Sequence, residues 1–327
     1  MIMKNKYTTL SGATKLLLWF LLLLPFSTRS YAQGRMLPVL EVNPDARSAA
    51  MGGLSMVGTD RHFLYVNPSA LLYSAEAGYG DIGFVALPKL AGAGSPLYFN
   101  ANVGYRLHSR HAVMAGYRYI GGVNMPRVSA DGLESNKRLT SMEYAVDFGY
   151  AFRVWQGLSL FTTGSLAQSY TSRISMNGAF TVGAHYFRNL SFGHLNVGLK
   201  VADFGAPVYY SKKEAYPLPT SIQGGVDLHF ISNETHQWTF AAGAKYYMLP
   251  PTQPQLMVGL GAEYTGWNLF SLRAGYEYGQ YNAGSFSAGI GAKYNGFTLD
   301  LAYRRGTAPA PYATHALMAS MGYRFTF

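Results

Sequence analysis

The sequence has no cysteine, and charged residues make up only 13% of its 327 residues. The absence of cysteine excludes disulfide frameworks, thiol catalysis and cysteine-ligated zinc sites. An ordinary soluble domain carries roughly 25% charged residues, so the surface of this chain is unusually poor in charge. Long apolar runs are scarce too. The longest, LLLWFLLLLPF at residues 16–26, is shorter than the ~20 residues that a membrane-spanning helix needs.

This apolar run lies in a segment typical of secretory signal peptides. Lys4, Lys6 and Lys15 precede it, and a small-x-small pattern at Ser30 and Ala32 follows it. We therefore predict that residues 1–32 are a signal peptide, cleaved after Ala32. No cysteine follows the cleavage position, which excludes attachment as a lipoprotein.

Aromatic residues and glycine are abundant. Aromatic residues make up 15% of the chain, and 37 residues are glycine. From about residue 76 onward, apolar and polar residues alternate with the period of β-strands. About fourteen such segments follow one another, most of them ~10 to 14 residues long, enough to cross a hydrocarbon layer at a tilt. The predicted strands begin near residues 76, 97, 110, 140, 157, 175, 192, 219, 236, 255, 268, 283, 296 and 315.

The predicted connections alternate between short and long, as in outer-membrane barrels. Short ones fall at 108–110, 155–157, 265–267 and 295–296, and longer ones at 87–96, 123–138, 206–219, 248–254 and 306–313. Two of the short turns follow similar segments, GLGAEYTGWNL and GIGAKYNGFTL. We interpret these segments as a repeated strand-turn-strand unit whose aromatic residues form part of an interfacial girdle: Tyr264, Trp267, Tyr294 and Phe297.

The two faces of each predicted strand differ in chemistry. Tyr144, Val146 and Phe148 alternate with Glu143 and Asp147, for example. A soluble sandwich would have to cover some fourteen such apolar faces, so we expect these faces to contact lipid and the charges to face the lumen. Residues 76–327 are thus predicted to form an all-β transmembrane antiparallel barrel of about 14 strands.

The chain ends on an aromatic strand. Tyr323, Phe325 and Phe327 share one face of the final segment. An unpaired strand edge of this kind invites aggregation, and pairing with the first strand of a closed barrel removes it. We interpret these three residues as a C-terminal assembly signal for the barrel assembly machinery.

Residues 33–75 do not fit the strand pattern, and we predict that they form a plug inside the barrel. Gly52 and Gly53 permit a turn with positive φ, and Asn67 and Pro68 resemble a helix start, with asparagine as N-cap and proline at the first helical position. Glycine often marks the close approach of another backbone. Glycines recur on the predicted inward face, among them Gly259, Gly261, Gly275 and Gly289. The lumen is therefore expected to be crowded.

Charged residues of the plug and of the predicted lumen face are candidate site residues. Asp45 and Arg47 pair with lumen charges either to gate passage or simply to hold the plug in place. The mixed-sign inward set forms either an ion network between plug and wall or a selective path for a substrate, and desolvated charges of this kind need partners. The set comprises Arg273, Glu277, Lys293, Asp300, Arg304 and Arg324.

One long loop, residues 208–219, combines aromatic residues, prolines and charge. It is either a protein-contact surface or a solvated rim, and its candidate contact residues are Tyr209, Tyr210, Lys212, Lys213 and Tyr216.

Several function classes lack a sequence signal. The net charge of +10 is scattered, without the basic cluster of a nucleic-acid site. The two similar segments do not complete a G-x-G-x-x-G motif, because tyrosine takes the last position. The histidines lack the spacing of a metal site, and no G-x-S-x-G is present. We expect no enzyme activity, metal, cofactor or nucleic-acid partner.

The motifs DARSAAMGG (45–53) and NPSAL (67–71), together with a barrel that ends in an aromatic residue, resemble the PorV/PorQ family of Bacteroidota outer-membrane proteins, itself similar to FadL-type barrels. This resemblance implies an outer-membrane component of the type IX secretion system in a Gram-negative cell. Its partners would be secreted cargo or attachment-complex proteins, besides outer-membrane lipid. The alternative is a FadL-like channel for a hydrophobic small molecule.

Overall fold

The computed structural model describes residues 37–53, 60–89, 93–128, 134–170, 174–211, 214–233, 235–251, 254–281, 283–308 and 315–326, with backbone alone at 127–128, 134–137, 210–211 and 214. The predicted signal peptide lies outside these residues, as do Lys212, Lys213 and Phe327.

The fold is a closed antiparallel barrel of fourteen strands, which confirms the predicted fold class. Each barrel strand pairs with the next along the chain, and the last closes on the first, from Gly78 opposite Phe325 to Ala86 opposite Leu317. Strands β8 and β9 form a separate hairpin between β7 and β10. The strands are β1 (Gly78–Ala86), β2 (Leu97–His108), β3 (His111–Val128), β4 (Glu134–Arg153), β5 (Leu158–Tyr170), β6 (Ile174–Leu190), β7 (Gly193–Gly205), β8 (Val208–Ser211), β9 (Glu214–Tyr216), β10 (Ser221–Ile231), β11 (His236–Tyr247), β12 (Gln255–Gly266), β13 (Phe270–Gly279), β14 (Ser285–Tyr294), β15 (Phe297–Gly306) and β16 (His315–Phe325).

The alternating faces point as predicted. Apolar side chains lie on the outside, with Phe148 59% exposed and Leu272 60% exposed, while Glu143 and Asp147 face inward and are buried. The outer surface is therefore an apolar band, and the polar half of each strand lines the lumen. No helix within the described ranges is both long and apolar enough to cross a membrane.

The β3–β4 hairpin is longer than the sequence indicated. The segment 123–138, predicted to be a loop, continues both strands, with Asn124 opposite Thr140 and Val128 opposite Glu134. The ladder shifts register at Pro126, which has no N–H to donate. It also shifts between Ile120 and Val123, where Gly122 has φ 90°. Cross-strand pairing thus overrides the loop-like composition of this segment.

The segment before β1 lies inside the barrel. It contains α1 (Pro38–Glu41), α2 (Ala46–Ala50) and a 3₁₀ helix, η1 (Pro68–Tyr73). Its apolar side chains pack in two clusters against inward-facing residues of the wall. One cluster joins α1 and α2 to residues such as Tyr98, Ile120 and Met318, and the other joins η1 to residues such as Tyr79, Met114 and Phe161. We call residues 37–53 and 60–74 the plug.

Asn67 does not act as the predicted helix cap. It precedes η1, which starts at Pro68 as the sequence suggested, but its side chain makes no capping hydrogen bond. The short 3₁₀ turn tightens the backbone so that the cap geometry of an α-helix does not form.

Candidate functional site

The first part of the plug is shaped by local backbone chemistry. The Asp45 carboxylate accepts hydrogen bonds from the backbone N–H groups of Arg47 (3.1 Å) and Ser48 (2.9 Å), so it caps α2 rather than pairing with a lumen cation. After α2, Gly52 and Gly53 have φ of 88° and 75°. This left-handed turn ends the helix against the wall.

Three wall glycines let the plug backbone approach closely. A Cβ on Gly261 would lie 2.6 Å from Cα of Met51, and one on Gly289 would lie 2.6 Å from Cβ of Ala50. A Cβ on Gly275 would lie 2.5 Å from the Met51 carbonyl carbon. Real Cβ atoms do not sit at these distances, so side chains at these positions are incompatible with the seated plug. We call Gly261, Gly275 and Gly289 the glycine seat.

A chain of buried charges joins plug and wall beside the glycine seat. Arg47 donates two hydrogen bonds to Glu263 of β12, at 2.9 and 2.6 Å. Glu263 also accepts from Arg273 of β13 (2.5 Å), and Arg273 donates to Asp300 of β15 (2.6 Å). Asp300 in turn pairs with Arg61 of the plug. Cations and carboxylates therefore alternate along this chain, with a plug arginine at each end, so that each buried charge has an opposite neighbour.

A second group of charges holds the plug next to β1 and β16. Arg324 donates to the Asp81 carboxylate (2.6 Å) and to the backbone carbonyl of Asp60 (2.5 Å). Asp81 also accepts from the backbone N–H of His62, at 2.7 Å. Lys293 lies 3.8 Å from Asp60. Arg324 therefore holds the plug in two ways: directly at Asp60, and through the wall carboxylate of Asp81, which binds His62.

Glu277 and Arg304 form a separate ion pair within the wall. The structure thus brings Arg273 and Asp300 into one chain of charges, places Lys293 and Arg324 beside the plug near Asp60, and keeps Glu277 with Arg304 apart from both.

The plug arginines stay ionised in this setting. Burial is the largest single effect on Arg47 and lowers its pKa, but attraction and hydrogen bonding to Glu263, together with attraction to Asp60 and Asp45, raise the pKa above its usual value. Arg61 shows the same balance, with Asp60 and Asp300 raising its pKa against the effect of burial. Fixed positive charges on the plug therefore face fixed negative charges on the wall.

Among the described residues, two cavities lie in the lumen beside the plug. The larger, about 530 Å³, lies at the end of the barrel with the short connections and is lined by residues such as Arg47, Tyr73, Phe187 and Lys293. The smaller, about 90 Å³, lies between the plug and a wall that includes Lys200 and Lys245. Both are lined by charged groups, so neither is an apolar pocket. The described residues contain no group of three or more His, Cys, Asp or Glu arranged to hold a metal ion.

The described parts of the predicted 208–219 loop fold over the other end of the lumen. Val208 and Leu218 are fully buried in the cluster that holds α1, and Tyr216 packs against it partly buried. Tyr209 is 57% exposed. The side chain of Tyr210 lies outside the described part of the chain.

The C-terminal aromatics lie at the barrel closure. Tyr323 contacts Phe297 with ring centroids 4.6 Å apart, and the Phe325 ring covers Gly78 of the paired strand β1.

Glu263, Arg61 and Asp81 are site residues that the sequence reasoning missed. A signal existed for Glu263, since it has the same strand parity as Gly259 and Gly261, both assigned to the inward face. Asp81 is likewise on the inward face of a predicted strand. Arg61 has no such signal, because the plug has no strand periodicity and the contact of Arg61 with Asp300 joins residues more than two hundred positions apart in the chain.

Comparison with known proteins identifies the fold. No family model matches the chain, and no curated protein matches it. Among solved structures, the toluene transporter TodX of Pseudomonas putida superposes with a TM-score of 0.65 at 14% identity, covering 86% of this chain and 98% of that one. The chain has a FadL-like barrel fold. The Ralstonia pickettii toluene transporter TbuX superposes with a TM-score of 0.62 at 15% identity, covering 86% of this chain and 98% of that one. A Pseudomonas aeruginosa FadL homologue superposes with a TM-score of 0.59 at 12% identity, covering 90% of this chain and 100% of that one.

These likenesses establish the fold alone. The similar structures are those of transport channels, and toluene is what two of them are named for. The PorV/PorQ membership inferred from the plug motifs is not shown by these comparisons.

Proposed function

We propose that this chain is an outer-membrane channel for an apolar small molecule, which is the alternative raised by the sequence. The observation that carries the proposal is the match in fold, over nearly the whole length of both chains, to toluene transporters. The apolar outer band suits a bilayer, and the outer membrane is where closed barrels of this kind reside. Cleavage of residues 1–32 would precede insertion.

The layout of the lumen supports a path that opens by plug movement. The glycine seat and the buried charges hold the plug against β12–β16 and β1, and hydrogen bonds also join it to β3, β4 and β7. Cavities remain beside the plug. Shifting the plug would break its hydrogen bonds and ion pairs to the wall and leave the closed strand ladder intact. Transport therefore requires no change in the wall.

The type IX secretion hypothesis has less support. Its candidate surface was the 208–219 loop, and Val208 and Leu218 of that loop point into the lumen, where they help to cover the plug. The experiment below distinguishes transport from the docking of secreted proteins.

The test measures uptake of radiolabelled toluene by cells that produce the mature protein in their outer membrane and lack another hydrocarbon channel. Because the chain has no cysteine, a disulfide between Ala46→Cys and Ser320→Cys can lock the plug to β16. The backbone N–H of Ala46 lies 2.8 Å from the Ser320 hydroxyl, so the two positions are adjacent.

Uptake should rise with the unsubstituted protein, fall to background with the oxidised double variant and return on reduction. The reduced double variant is the matched control. The opposite result has two parts: uptake stays at background with the unsubstituted protein, and secreted proteins that share a C-terminal domain co-purify with it. This result would favour the secretion hypothesis over transport.

A further inference from the structure

Two apolar hollows on the outer face of the barrel share one ridge. Tyr264 of β12 lies opposite Leu272 of β13, and both residues line both hollows. The first hollow, about 370 Å³, extends from this ridge to β14 and β15, where Ile290 and Leu299 line it. The second, also about 370 Å³, extends to Trp238 of β11. Leu272, Ile290 and Leu299 are exposed, as is Trp238, so both hollows belong to the apolar outer band.

Both hollows lie near the end of the barrel with the short connections. Gly266, Trp267 and Phe270 line the first hollow, at the connection between β12 and β13. Trp238, in the second hollow, is the third residue of β11, which begins at the same end. Short connections of outer-membrane barrels lie on the periplasmic side. The hollows therefore face the acyl chains of the periplasmic leaflet.

Two polar groups lie beside the ridge at this end. His236, the first residue of β11, has its Nδ1 2.7 Å from the Tyr264 hydroxyl. When the phenol donates to Nδ1, the ring proton of the imidazole is on Nε2, which is then a donor. The Trp267 ring lies edge-on to the His236 ring with centroids 5.6 Å apart, and Trp267 is 68% exposed. Its indole N–H is the second donor.

These features match the parts of a phospholipid. A phospholipid has two acyl chains joined to one phosphate group, and here two apolar hollows flank one ridge that has N–H donors beside it. Phosphate oxygens accept strong hydrogen bonds, and tryptophan and tyrosine favour the headgroup level of a bilayer. The hollows are also continuous with the outer band that contacts lipid, so a lipid reaches them without displacing any part of the protein.

We propose that the two hollows bind one phospholipid of the periplasmic leaflet. An acyl chain lies on each side of the ridge formed by Tyr264 and Leu272, and the phosphate lies at His236 and Trp267. Removal of apolar surface from contact with water and headgroups holds the chains, and the N–H donors select the phosphate. The closed wall separates this surface from the lumen, so the inference goes beyond the proposed function and does not depend on it.

Native mass spectrometry of the purified mature protein in detergent tests this proposal by measuring the fraction that retains one lipid. The probes are palmitoyl-oleoyl phosphatidylethanolamine, the corresponding diacylglycerol, which has both chains but no phosphate, and the corresponding lysophospholipid, which has the phosphate but one chain. The phospholipid should be retained. Each of the other two should be retained at least about fivefold less, because each loses either the hydrogen bonds to a charged group or the burial of one chain.

Matched substitutions test the hollow and the donors separately. Ala292→Phe places a ring in the first hollow, and it should lower retention of the phospholipid and of the diacylglycerol alike, by about fivefold. Ala288→Phe is the control, because Ala288 is exposed on the same strand but lies outside the lining of both hollows. Trp267→Phe keeps a ring and removes the indole N–H, so it should lower retention of the phospholipid only. Circular dichroism checks that each variant keeps the barrel.

Equal retention of phospholipid and diacylglycerol, or equal loss with Ala292→Phe and Ala288→Phe, would overturn the proposal. A broad distribution of bound lipids that no variant changes would overturn it too, because it would show only the ordinary lipid layer around a barrel. A protein dimer that Ala292→Phe dissociates would assign the hollows to a second copy of the chain instead. Selective lipid retention with toluene uptake at background would keep this site and remove the proposed function, whereas uptake without selective retention would do the reverse.

Discussion

Single residues decide how closely the plug fits the wall. The glycine seat has no side chains, and the plug backbone at 50–52 occupies the space that side chains would take. Beside it, Glu263 accepts hydrogen bonds from one plug arginine and one wall arginine. Shape and charge at these few positions thus specify a single seat for the plug.

Adding one methyl group to the glycine seat should displace the plug. Gly275→Ala places a Cβ against Met51 and Gly52, and overpacking of this kind costs about 1–3 kcal/mol. The denaturant midpoint, followed by tryptophan fluorescence in micelles, should fall. Gly178→Ala is the control, because no heavy atom lies within 4 Å of its added Cβ. Equal midpoints for the two variants would mean that the plug does not press on Gly275.

Removing the charge that plug and wall share should be costly. Glu263→Gln leaves Arg47 and Arg273 without their common carboxylate, and an uncompensated buried charge costs about 3–5 kcal/mol. The free energy of unfolding measures this loss. Glu277→Gln is the comparison: its partner Arg304 is 33% exposed, so water can replace the carboxylate and the loss should be smaller. A larger loss for Glu277→Gln would contradict the proposed role of Glu263.

At the scale of elements, short helices position the plug and paired strands position the wall. The helix α2 has five residues, too few to be stable by itself, so its cap and its packing must hold it. The β3–β4 hairpin shows the opposite case, because cross-strand pairing carries its strands through a segment that contains proline and polar residues.

Loss of the α2 cap should loosen the plug without opening the barrel. Asp45→Ala leaves the N–H groups of Arg47 and Ser48 without their acceptor, which costs about 1 kcal/mol. Hydrogen exchange at these two amides should become roughly fivefold faster, and exchange in β13 should not change. Asp45→Asn keeps a capping oxygen and should exchange almost as slowly as the unsubstituted protein. Exchange that is unchanged in Asp45→Ala would show that packing alone holds α2.

At the scale of the whole molecule, the barrel separates charge from its outer surface. Within the strand side chains that the structure describes, seven acidic residues are buried on the lumen side: Asp81, Glu143, Asp147, Asp227, Glu263, Glu277 and Asp300. Closure of β16 on β1 leaves no free strand edge. The wall is therefore complete without the plug.

Deletion of residues 37–74 should leave a folded barrel with an open lumen. Every barrel strand keeps both neighbours, and Glu263, Arg273 and Asp300 still pair with one another within the wall. Single-channel conductance in planar bilayers should rise from near zero to a steady open level, while circular dichroism should retain the strand signal. The locked Ala46→Cys/Ser320→Cys variant is the closed control. A deletion variant that fails to form a barrel would assign the plug a role in folding.

The sequence by itself determined the barrel. Alternation of apolar and polar residues has a period of two, and successive side chains of a strand point to opposite sides with the same period. The sequence therefore predicted the number of strands and their inward faces, whereas the connection at 123–138 was wrongly predicted to be a loop. Glycines on the inward face, such as Gly275 and Gly289, likewise predicted that another part of the backbone lies close to the wall.

Only the tertiary structure decided which plug residue meets which wall residue. The partnership of Arg61 with Asp300 joins segments far apart in the chain, and so does the stacking of Tyr73 of η1 on Phe187 of β6. Neither follows a local period. Register across the barrel and the path of the plug bring these groups together, and both depend on the packing of the closed molecule rather than on neighbouring residues in the sequence.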